Sequence, residues 1–388
     1  MKKHHIIIIG GGGTGAAVIH DLQQRGFAST LVERGELTSG TTGRHHGQLH
    51  CGARYAVGDR MIARECMEET TILRRIAGES LESNYGLFVS LTEEDDAFAP
   101  TFIEACREAA IPARVIPTET ALRMEPNLNP KIRMAVQVPD GVIDAWRLPL
   151  QFFATARSAG AKIHTFTPVT GLIMSGKTVT GVKVRNLATK KERVVSGDMV
   201  INATGAWASQ ITAMAGIDIP ITPAPGTMVA VGERVANMVI SRLHPAGDGD
   251  IIVPQRRLSI IGTTQWKTEN PDGVKVPEED IAEMFRCADR MIPDFSRRPF
   301  HAAWTASRPL AGKSDTDDGR RLSRDFNCVD HAETDGVEGL VSVIGGKATV
   351  LRAMAEKTVN LVCKKLGEDR PCMSTGSPLI SHRAFFMD

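Results

Sequence analysis

Residues 6–26 read IIIIGGGGTGAAVIHDLQQRG and predict a strand, a glycine turn and a helix in immediate succession. The four isoleucines form the apolar run of a buried parallel strand. Gly10, Gly12 and Gly15 then fill a GxGxxG pattern, and Gly26 marks the end of the helix. In a βαβ unit these glycines allow a tight turn, a close backbone approach to a pyrophosphate and close packing of helix on strand. We therefore expect the fold to begin with a dinucleotide-binding unit.

A second strand follows in the sequence STLVE, which ends at Glu33. An acidic side chain about twenty residues past the glycine pattern is placed to accept hydrogen bonds from the ribose of an adenosine. The same acid disfavours the 2′-phosphate of NADP. The N-terminal unit by itself leaves FAD and NAD as alternatives.

The rest of the chain favours FAD, because it does not continue as regular βαβ units. Residues 161–199 alternate apolar and polar positions between short turns, which predicts an antiparallel meander. The sequence VINATGAW (200–207) predicts a buried strand that runs into a turn at residues 203–205. Residues 340–367 predict a strand, a second glycine pair at Gly345 and Gly346, and a long helix whose N-terminus is placed to face a flavin ring.

Composition and charge exclude several other classes of protein. The 388 residues include 46 Lys and Arg against 45 Asp and Glu, so the net charge of +1 gives no general attraction to nucleic acid or to anionic membranes. The apolar run in MKKHHIIII breaks at Gly10, which is too short for a leader peptide or a membrane span. The seven cysteines contain no CxxC pair. We expect a cytoplasmic protein without disulfides and without a nucleic-acid partner.

The segment TTGRHHGQLHCGARY (41–55) concentrates histidine, cysteine and arginine and has several interpretations. His46 and His50 have the spacing of zinc ligands on one face of a helix. Interleaved glycines make a regular helix unlikely to form, so we favour a loop that follows the pyrophosphate and one face of the flavin, and we predict no metal site. Covalent attachment of the flavin through a histidine or Cys51 is a further interpretation.

These motifs together resemble a known family. The residues that carry the resemblance are IIIIGGGGTGAA, LVER, TTGRHHGQLHCGARY, NYGLFVSL, VPDGVIDAWRL, VINATGAW, DIIVP with LSIIGTT, SRPL, LSRDF, VDHAETDGVEG and IGGK. In this order they resemble the FAD-dependent glycerol-3-phosphate dehydrogenases of the glycine oxidase/D-amino-acid oxidase superfamily, and within them the A-subunit branch of the anaerobic bacterial enzymes. The resemblance implies noncovalently bound FAD.

The resemblance also implies a fold class and a division into domains. We expect an α/β protein, α+β in its substrate part, in which a Rossmann-like FAD-binding domain is interleaved with a mixed-sheet substrate domain. The FAD-binding domain is expected to comprise residues 1–85, 145–218 and 325–388. The substrate domain is expected to comprise residues 86–144 and 219–324.

The motifs and the resemblance assign the cofactor-binding residues to the glycine turns, the end of the second strand, the histidine-rich segment and the meander. They are Gly10, Gly12, Thr14, Gly15, Glu33, Arg34, Thr41, Thr42, Gly43, Arg44, His46, Gly47, Leu49, Val169, Ala203, Thr204, Gly205, Gly345, Gly346, Lys347, Ala348 and Thr349.

For catalysis the resemblance implies four cations around an anionic substrate, namely Arg54, Arg308, Arg324 and Lys347. A guanidinium matches a phosphate with two parallel hydrogen bonds, which suits these arginines to that role. A surface salt bridge is the ordinary alternative for each of them. Arg54 has a second interpretation, in which it holds the loop beside the flavin.

His50 is the candidate catalytic base. Its three interpretations are a proton acceptor, a hydrogen-bond partner of the flavin, and a residue that only orders its loop. His331 faces the active site or stabilises a turn, and Asp144 is expected to cap the helix that follows it.

Three departures from the family pattern bear on the substrate and the electron acceptor. Val350 and Leu351 stand where the family has Thr-Tyr, and Ala306 and Ser307 stand where it has Gly-Val before Arg-Pro-Leu. A C-terminal iron–sulfur-type domain, which the resemblance implies, is not among the motifs found. The first two departures concern the substrate pocket, and the third concerns the electron acceptor.

The expected function is that of a FAD-dependent dehydrogenase. It moves a hydride from the C–H of a small anionic alcohol, glycerol 3-phosphate or a related phosphorylated polyol, to flavin N5. The electrons pass to a separate acceptor, such as an iron–sulfur or membrane-anchor subunit, and only such partners connect the protein to the inner membrane. The alternatives are a FAD-dependent dehydrogenase or oxidase of a 2-hydroxy acid or amino acid, and an electron-relay flavoprotein subunit of a larger complex.

Overall fold

The computed structural model describes residues 4–312 and 325–387. Its helices are α1 (Gly13–Gln24), α2 (Arg60–Ile76), α3 (Glu93–Glu108), α4 (Thr118–Met124), α5 (Arg147–Ser158), α6 (Ala208–Thr212), α7 (Glu278–Met291), α8 (His331–Asp335) and α9 (Leu351–Leu366). Its strands are β1 (His5–Ile9), β2 (Ala28–Val32), β3 (Gln48–Leu49), β4 (Leu81–Glu82), β5 (Gly86–Ser90), β6 (Arg114–Ile116), β7 (Met134–Val138), β8 (Gly141–Ile143), β9 (Lys162–His164), β10 (Val169–Ser175), β11 (Thr178–Arg185), β12 (Glu192–Ser196), β13 (Met199–Asn202), β14 (Ile221–Val231), β15 (Val239–Arg242), β16 (Ile251–Gln255), β17 (Leu258–Gly262), β18 (Phe300–Ala311), β19 (Phe326–Asp330) and β20 (Leu340–Gly345).

The first sheet has six strands in the order β19-β20-β13-β1-β2-β9. β1 pairs in parallel with β2 and β13, β2 with β9, and β13 with β20, whereas β19 runs antiparallel to β20. Counted along the chain, the first four strands of this sheet lie in the order 3-2-1-4, which is the Rossmann arrangement. The predicted strand, glycine turn, helix and second strand are confirmed, and so is the Rossmann-like fold.

Both faces of this sheet are covered by other elements. Ile6 and Ile8 of β1 pack in the core formed with α1, α5 and α9, while Ile7 and Ile9 pack against the opposite layer, which contains β11. Successive side chains of a strand point to opposite faces, so a strand covered on both sides must be apolar at every position. This explains the unbroken isoleucine run. The predicted meander is confirmed for β10, β11 and β12. Its predicted start is wrong, because residues 162–164 form β9 and pair in parallel with β2 in the first sheet.

The second sheet has eight strands in the order β18-β14-β17-β16-β15-β5-β7-β6. Within this sheet β15 runs parallel to β5, and all other neighbouring strands are antiparallel to each other, so the sheet is mixed. Helices α4 and α7 share one of its hydrophobic cores. Its strands all lie within residues 86–144 and 219–324, and the strands of the first sheet lie outside these ranges. A small sheet, β3-β8-β4, pairs β8 of the range 86–144 with two short strands that precede residue 86. The division into two domains stays a prediction.

A buried ion pair joins α2 to α9, the helix that follows the second glycine pair. The Arg352 guanidinium donates to both carboxylate oxygens of Glu69, with the Nε atom 2.9 Å from Oε2 and 3.1 Å from Oε1. Arg352 also donates to Glu356 at 2.6 Å and to the Ser374 hydroxyl at 3.2 Å. The Arg352 and Glu69 side chains are only 5% and 4% exposed. The charge is therefore satisfied by partners on both helices rather than by water.

We predict that Arg352→Met lowers the free energy of unfolding by about 3–5 kcal/mol, because it leaves the Glu69 carboxylate buried without its partner. Urea denaturation measures the loss. Arg107→Met is the matched control, because Arg107 pairs with Glu104 on the exposed surface of α3 and its loss should leave the free energy of unfolding nearly unchanged. Similar losses in both variants would contradict the prediction.

His20 gives a second prediction, which concerns pH. It is buried on α1 against the ring of Phe152, and burial lowers its pKa to about 4, whereas an unfolded histidine titrates near its ordinary value of 6.5. Below about pH 6.5 the unfolded chain takes up a proton that the folded chain refuses, so stability falls as the pH drops toward 4.

Between pH 7 and pH 5 this group should cost wild type about 2 kcal/mol of unfolding free energy. The variant His20→Gln should lack that component, as measured by urea denaturation at the two pH values. His301→Gln serves as the control, because His301 is exposed. The prediction fails if the His20→Gln and wild-type proteins lose the same stability on acidification.

Candidate active site

A cavity of about 640 Å³ opens beside the carboxyl ends of the parallel strands of the first sheet. Gly10, Glu33, Thr204 and Gly346 line it, each from the segment that follows a different strand. The second sheet contributes Arg308 from β18 to its wall. Ligands of parallel α/β sheets bind at the carboxyl ends of the strands, because that is where the connecting loops and helix N-termini meet.

The glycines of the first turn line the cavity with backbone atoms alone. Gly10 has a φ of +108°, and a Cβ at this position would lie 2.6 Å from the carbonyl oxygen of Ala203. A Cβ on Gly15 would overlap the carbonyl oxygen of Gly10, so α1 can pack this closely only with glycine there. The first-turn N–H groups of α1 have no intrahelical acceptor, and Thr14 lines the cavity. The turn therefore fits a phosphate group.

Two polar side chains follow β2 at the same end of the cavity. The Glu33 carboxylate accepts the backbone N–H of Gly11 at 2.6 Å and that of Gly35 at 2.8 Å. Thr38 is buried and lines the cavity, and its Oγ1 has no hydrogen-bond partner among the described residues. A carboxylate has further acceptor sites beyond two N–H donors, so Glu33 can also accept from ribose hydroxyls.

An arginine and a tryptophan form the wall next to Glu33. The guanidinium carbon of Arg34 lies 4.5 Å from the centroid of the Trp207 ring, and Arg34 pairs with Asp272 at 2.8 Å. Trp207 comes from the segment that follows β13, and Asp272 from the chain between β17 and α7. The contact joins segments far apart in sequence around one end of the cavity.

These residues fit FAD. The glycine turn and the N-terminus of α1 suit a pyrophosphate, Glu33 suits the adenosine ribose, and the unpartnered hydroxyl of Thr38 lies in the same wall. The second glycine pair at Gly345 and Gly346 brings another backbone turn to the cavity. The described residues at the first glycine turn and at the second glycine pair are therefore both compatible with the predicted cofactor.

Two histidines of the segment after β2 are neutral donors. Nδ1 of His45 accepts the N–H of Gly47 at 2.9 Å, and Nδ1 of His46 accepts the N–H of Gln48 at 3.1 Å. A neutral ring that accepts at Nδ1 carries its proton on Nε2. Burial lowers the pKa of His45 to about 4, and burial and neighbouring cations lower that of His46 to about 3. Both rings can therefore donate a hydrogen bond at neutral pH.

Arg54 is held by a buried carboxylate. Its guanidinium donates to the carbonyl of Gly247 at 2.9 Å and to Asp250 at 3.0 Å, and the other oxygen of Asp250 lies 2.7 Å from Nε2 of His244. Burial raises the pKa of Asp250, but the hydrogen bond from His244 and the charge of Arg54 outweigh it and hold that pKa below its usual value. The carboxylate thus stays ionised and orients Arg54.

Arg308 and Lys347 line the same cavity. Arg308 donates to the Thr263 hydroxyl and to the Thr264 carbonyl. The Lys347 ammonium lies 5.0 Å from the centroid of the Tyr55 ring. The charges of Arg308 and Arg54 both contribute to the low pKa of His46, so these two cations converge on one histidine. An anion is the natural ligand of such a group.

The backbone of His50 is fixed by α2 and by the turn that precedes α9. Its N–H donates to the Thr349 hydroxyl at 3.1 Å, and its carbonyl accepts from the Thr70 hydroxyl at 2.9 Å. The His50 ring lies 5.4 Å from that of Tyr55 and 5.9 Å from that of His46, measured between centroids. The ring therefore lies among the residues that line the cationic part of the cavity.

Most of the predicted site residues line this cavity. They are Gly10, Gly12, Thr14, Glu33, Arg34, Thr41, Thr42, Arg44, His46, His50, Arg54, Val169, Ala203, Thr204, Gly205, Arg308, Gly345, Gly346, Lys347 and Ala348. Their roles toward a ligand stay predictions.

Five further predicted site residues lie outside the cavity lining, and a sixth lies outside the described residues. Gly15, Gly43, Gly47, Leu49 and Thr349 do not line the cavity. Three of them support residues of the cavity wall. Leu49 is fully buried in the core, and Thr349 accepts a hydrogen bond from the His50 backbone. A side chain on Gly47 would overlap the Gln255 amide. Arg324 lies outside the described residues.

Several cavity residues escaped sequence reasoning. They include Gly11, Gly13, Thr38, His45, Gln48, Tyr55, Trp207 and Gln265. Gln48 could have been found from the alternation of His46, Gln48 and His50 along an extended segment. Thr38 carried no signal, because only the path of the chain after β2 brings its hydroxyl to the cavity wall.

Of the two positions that replace Thr-Tyr of the family pattern, Leu351 lines the cavity and Val350 does not. Val350 is fully buried in the core and does not line the cavity. Leu351 lies against Gly13 of the first glycine turn, where a Cβ would be 2.7 Å from Leu351 Cδ1. The carbonyl of Ser307 accepts from the Thr41 hydroxyl at 2.6 Å. The Val350 and Leu351 side chains therefore pack toward the core and the first glycine turn.

His331 and Asp144 have structural roles. His331 is fully buried, with Nδ1 2.7 Å from Asp335 and Nε2 2.8 Å from the Ser342 hydroxyl, so it stabilises its own turn. Asp144 accepts the N–H groups of Trp146 and Arg147 at the start of α5, which confirms the predicted cap. In the part of the chain that the structure describes, no three His, Cys, Asp or Glu side chains form a group that could hold a metal ion.

Comparison with known families matches residues 5–350 to the family described as FAD dependent oxidoreductase (DAO), and the chain belongs to it. The chain is 42% identical over 361 residues to the A subunit of anaerobic glycerol-3-phosphate dehydrogenase of Escherichia coli (strain K12), covering 92% of this chain and 67% of that protein. It is 40% identical over 380 residues to the A1 subunit of the same enzyme from Haloferax volcanii, covering 94% and 64%. The chain thus spans about two thirds of the length of these relatives.

Solved structures show the same fold. The glycerol-3-phosphate dehydrogenase of Bacillus halodurans complexed with FAD matches with a TM-score of 0.73 at 22% identity, over 97% of this chain and 68% of that one. The L-proline dehydrogenase of P. horikoshii matches with a TM-score of 0.77 at 22% identity, over 97% of both chains. These matches confirm the predicted fold class.

We predict that Glu33→Gln weakens FAD binding about tenfold or more, because a neutral amide loses charge-assisted hydrogen bonds. Titration of the apoprotein with FAD, followed by flavin fluorescence, measures the dissociation constant. Glu36→Gln is the control, because Glu36 is exposed and does not line the cavity. An unchanged dissociation constant for Glu33→Gln would contradict the proposed place of the adenosine.

Proposed function

Because the chain belongs to the FAD dependent oxidoreductase (DAO) family, we propose that it dehydrogenates glycerol 3-phosphate or a related phosphorylated polyol at a secondary alcohol. The observation that carries this proposal is that three cations, Arg54, Arg308 and Lys347, line one cavity together with His46 and His50. The names of the relatives that are 40–42% identical support the same substrate.

FAD, when bound, supplies the acceptor for the hydride that leaves the alcohol carbon. The glycine turns and Glu33 bind and orient the dinucleotide. Arg308 and Lys347 bind the substrate phosphate, and Arg54 does so from the position that Asp250 gives it. Holding the phosphate fixes the rest of a small molecule, so the reacting C–H is presented in one orientation.

We assign the proton of the alcohol to His50. His45 and His46 already use Nδ1 to accept a backbone N–H, so their neutral rings have only a donor left for the cavity. His50 lines the same part of the cavity, and Thr70 and Thr349 fix its position through its backbone. Among these three histidines, His50 is therefore the one best suited to take a proton from the substrate.

We also infer that electrons leave this protein to a separate partner, an iron–sulfur or membrane-anchor subunit. The relatives named as A subunits support a multi-subunit enzyme. Within residues 4–312 and 325–387, no helix combines the length and the apolar character needed to cross a bilayer. All seven cysteines are free thiols, which supports the proposed cytoplasmic location.

An anaerobic substrate screen tests the proposed function. The holoprotein is mixed with glycerol 3-phosphate, other phosphorylated polyols, 2-hydroxy acids and amino acids, and loss of the oxidised flavin band is followed. Reduction by a phosphorylated polyol is expected. Reduction only by a hydroxy acid or amino acid, or by no small molecule, would overturn the proposal, and the latter result would favour an electron-relay subunit.

We predict that Arg308→Met lowers kcat/KM for glycerol 3-phosphate about 10- to 100-fold, mainly through KM, because it removes a charged hydrogen-bond donor from the phosphate. Arg308→Lys should recover part of the loss. Steady-state kinetics with an artificial electron acceptor measure both values. Arg34→Met is the control: Arg34 lines the same cavity beside Glu33, and its loss should change FAD affinity rather than substrate KM. Equal effects of Arg34→Met and Arg308→Met on KM would contradict the assignment.

A further inference from the structure

The segment from His46 to His50 is extended, and its side chains alternate. His46, Gln48 and His50 line the cavity, whereas Leu49 is fully buried in the core. Residues 48 and 49 form β3, which pairs with β8 and so fixes which side chains face the cavity. The middle residue of this row, Gln48, has no role in the proposed function.

A buried carboxylate sets the orientation of the Gln48 amide. Nε2 of Gln48 donates to Oδ2 of Asp140 at 2.8 Å, and the backbone N–H of Cys51 donates to Oδ1 of Asp140 at 2.7 Å. An ionised carboxylate only accepts hydrogen bonds, so the amide must turn its nitrogen toward Asp140 and its oxygen away. Burial raises the pKa of Asp140, while the hydrogen bonds from Cys51 and Gln48 and the charge of Arg74 oppose that rise.

The turn that carries Asp140 is itself anchored. Arg74 of α2 donates to the carbonyls of Pro139 at 2.8 Å and of Asp140 at 3.0 Å. Asp140 is 2% exposed. The carboxylate therefore cannot follow the amide if Gln48 turns, and the amide orientation is set by a rigid partner.

The oxygen of the Gln48 amide is a buried acceptor that receives no hydrogen bond from the described residues. Gln48 is 2% exposed, and its Oε1 has no hydrogen-bond partner among the described residues. A buried carbonyl oxygen without a donor costs free energy, and a bound molecule or an ordered water can supply the missing hydrogen bond. The Gln48 side chain lines the cavity, so the donor is expected to come from there.

We propose that Gln48 is a binding residue of this cavity, whose Oε1 accepts a hydrogen bond from an N–H or O–H group of the bound molecule. Next to it His46 offers a donor at Nε2, so the row presents a donor beside an acceptor. Two ligand groups have this chemistry: the imide N3–H of the flavin, beside its ring carbonyls, and a free hydroxyl of the substrate. Asp140 is the positioning residue that makes Gln48 an acceptor rather than a donor.

The first arm of the test concerns the flavin and does not depend on the proposed substrate. Apoprotein of wild type and of Gln48→Leu is titrated with FAD and with N3-methyl-FAD, which lacks the imide N–H. If the flavin is the donor, the ratio of the dissociation constant for N3-methyl-FAD to that for FAD should be about three- to tenfold larger in wild type than in Gln48→Leu.

The second arm rests on the proposed function and concerns the substrate that the anaerobic screen identifies. For glycerol 3-phosphate, KM is compared with that of propane-1,2-diol 1-phosphate, which keeps the secondary alcohol and the phosphate but lacks the terminal hydroxyl. The ratio of KM for propane-1,2-diol 1-phosphate to KM for glycerol 3-phosphate should be about three- to tenfold larger in wild type than in Gln48→Leu.

The proposal is supported if, in either arm, Gln48→Leu loses the preference that wild type shows. Equal ratios in both arms overturn it. If no phosphorylated polyol reduces the flavin, the proposed function fails and the first arm alone decides on Gln48.

Asp140→Asn tests the orientation without removing Gln48. The asparagine side chain keeps an oxygen for the Cys51 N–H and turns an NH₂ group toward Gln48, so the Gln48 amide should reverse and present its NH₂ to the cavity. This variant should lose the same discrimination as Gln48→Leu, and retention of the wild-type preference would overturn the proposal. Gln210→Leu, which alters another glutamine that lines the cavity, is the control, and circular dichroism and Tm confirm that each variant folds.

Discussion

The contact between α1 and the end of β1 is the constraint on which the rest of the site depends. Gly15 packs against the carbonyl of Gly10 with no room for a Cβ, and Gly10 in turn approaches the carbonyl of Ala203 after β13. Because α1 lies this close, the N–H groups of its first turn lie at the carboxyl edge of the six-stranded sheet, where that of Gly13 donates to the Thr42 hydroxyl. The cavity, Glu33 and the second glycine pair are arranged around that point.

The cationic part of the cavity is built so that His45 and His46 stay neutral. Burial and the charges of Arg54 and Arg308 oppose protonation of His46, while Asp250 compensates part of the charge of Arg54. Two fixed cations can therefore bind an anion while the neutral rings still donate hydrogen bonds. If His45 or His46 were protonated, its positive charge would repel Arg54 and Arg308.

The active-site segment 46–51 is held by elements that contribute little to the cavity themselves. Thr70 of α2 and Thr349 before α9 bind the backbone of His50, and the Glu69–Arg352 pair joins these two helices. On the other side Asp140 binds the residues flanking Leu49 and His50. A short extended segment has few contacts of its own, so its precision depends on these buried polar partners.

The sequence by itself determined the Rossmann-like unit, the meander, the second glycine turn and the loop that carries His46 and His50, because these depend on local rules: period-2 alternation, glycine conformations and the order of elements. It also identified Arg54 and Arg308 through ordered motifs. Only the tertiary structure decided that Oε1 of Gln48 has no hydrogen-bond partner among the described residues, that Val350 is buried in the core, and that Nδ1 of His46 accepts a backbone N–H. The first two of these facts depend on contacts between residues far apart in the chain, such as Gln48 with Asp140, and no local pattern encodes the partner of a buried polar atom.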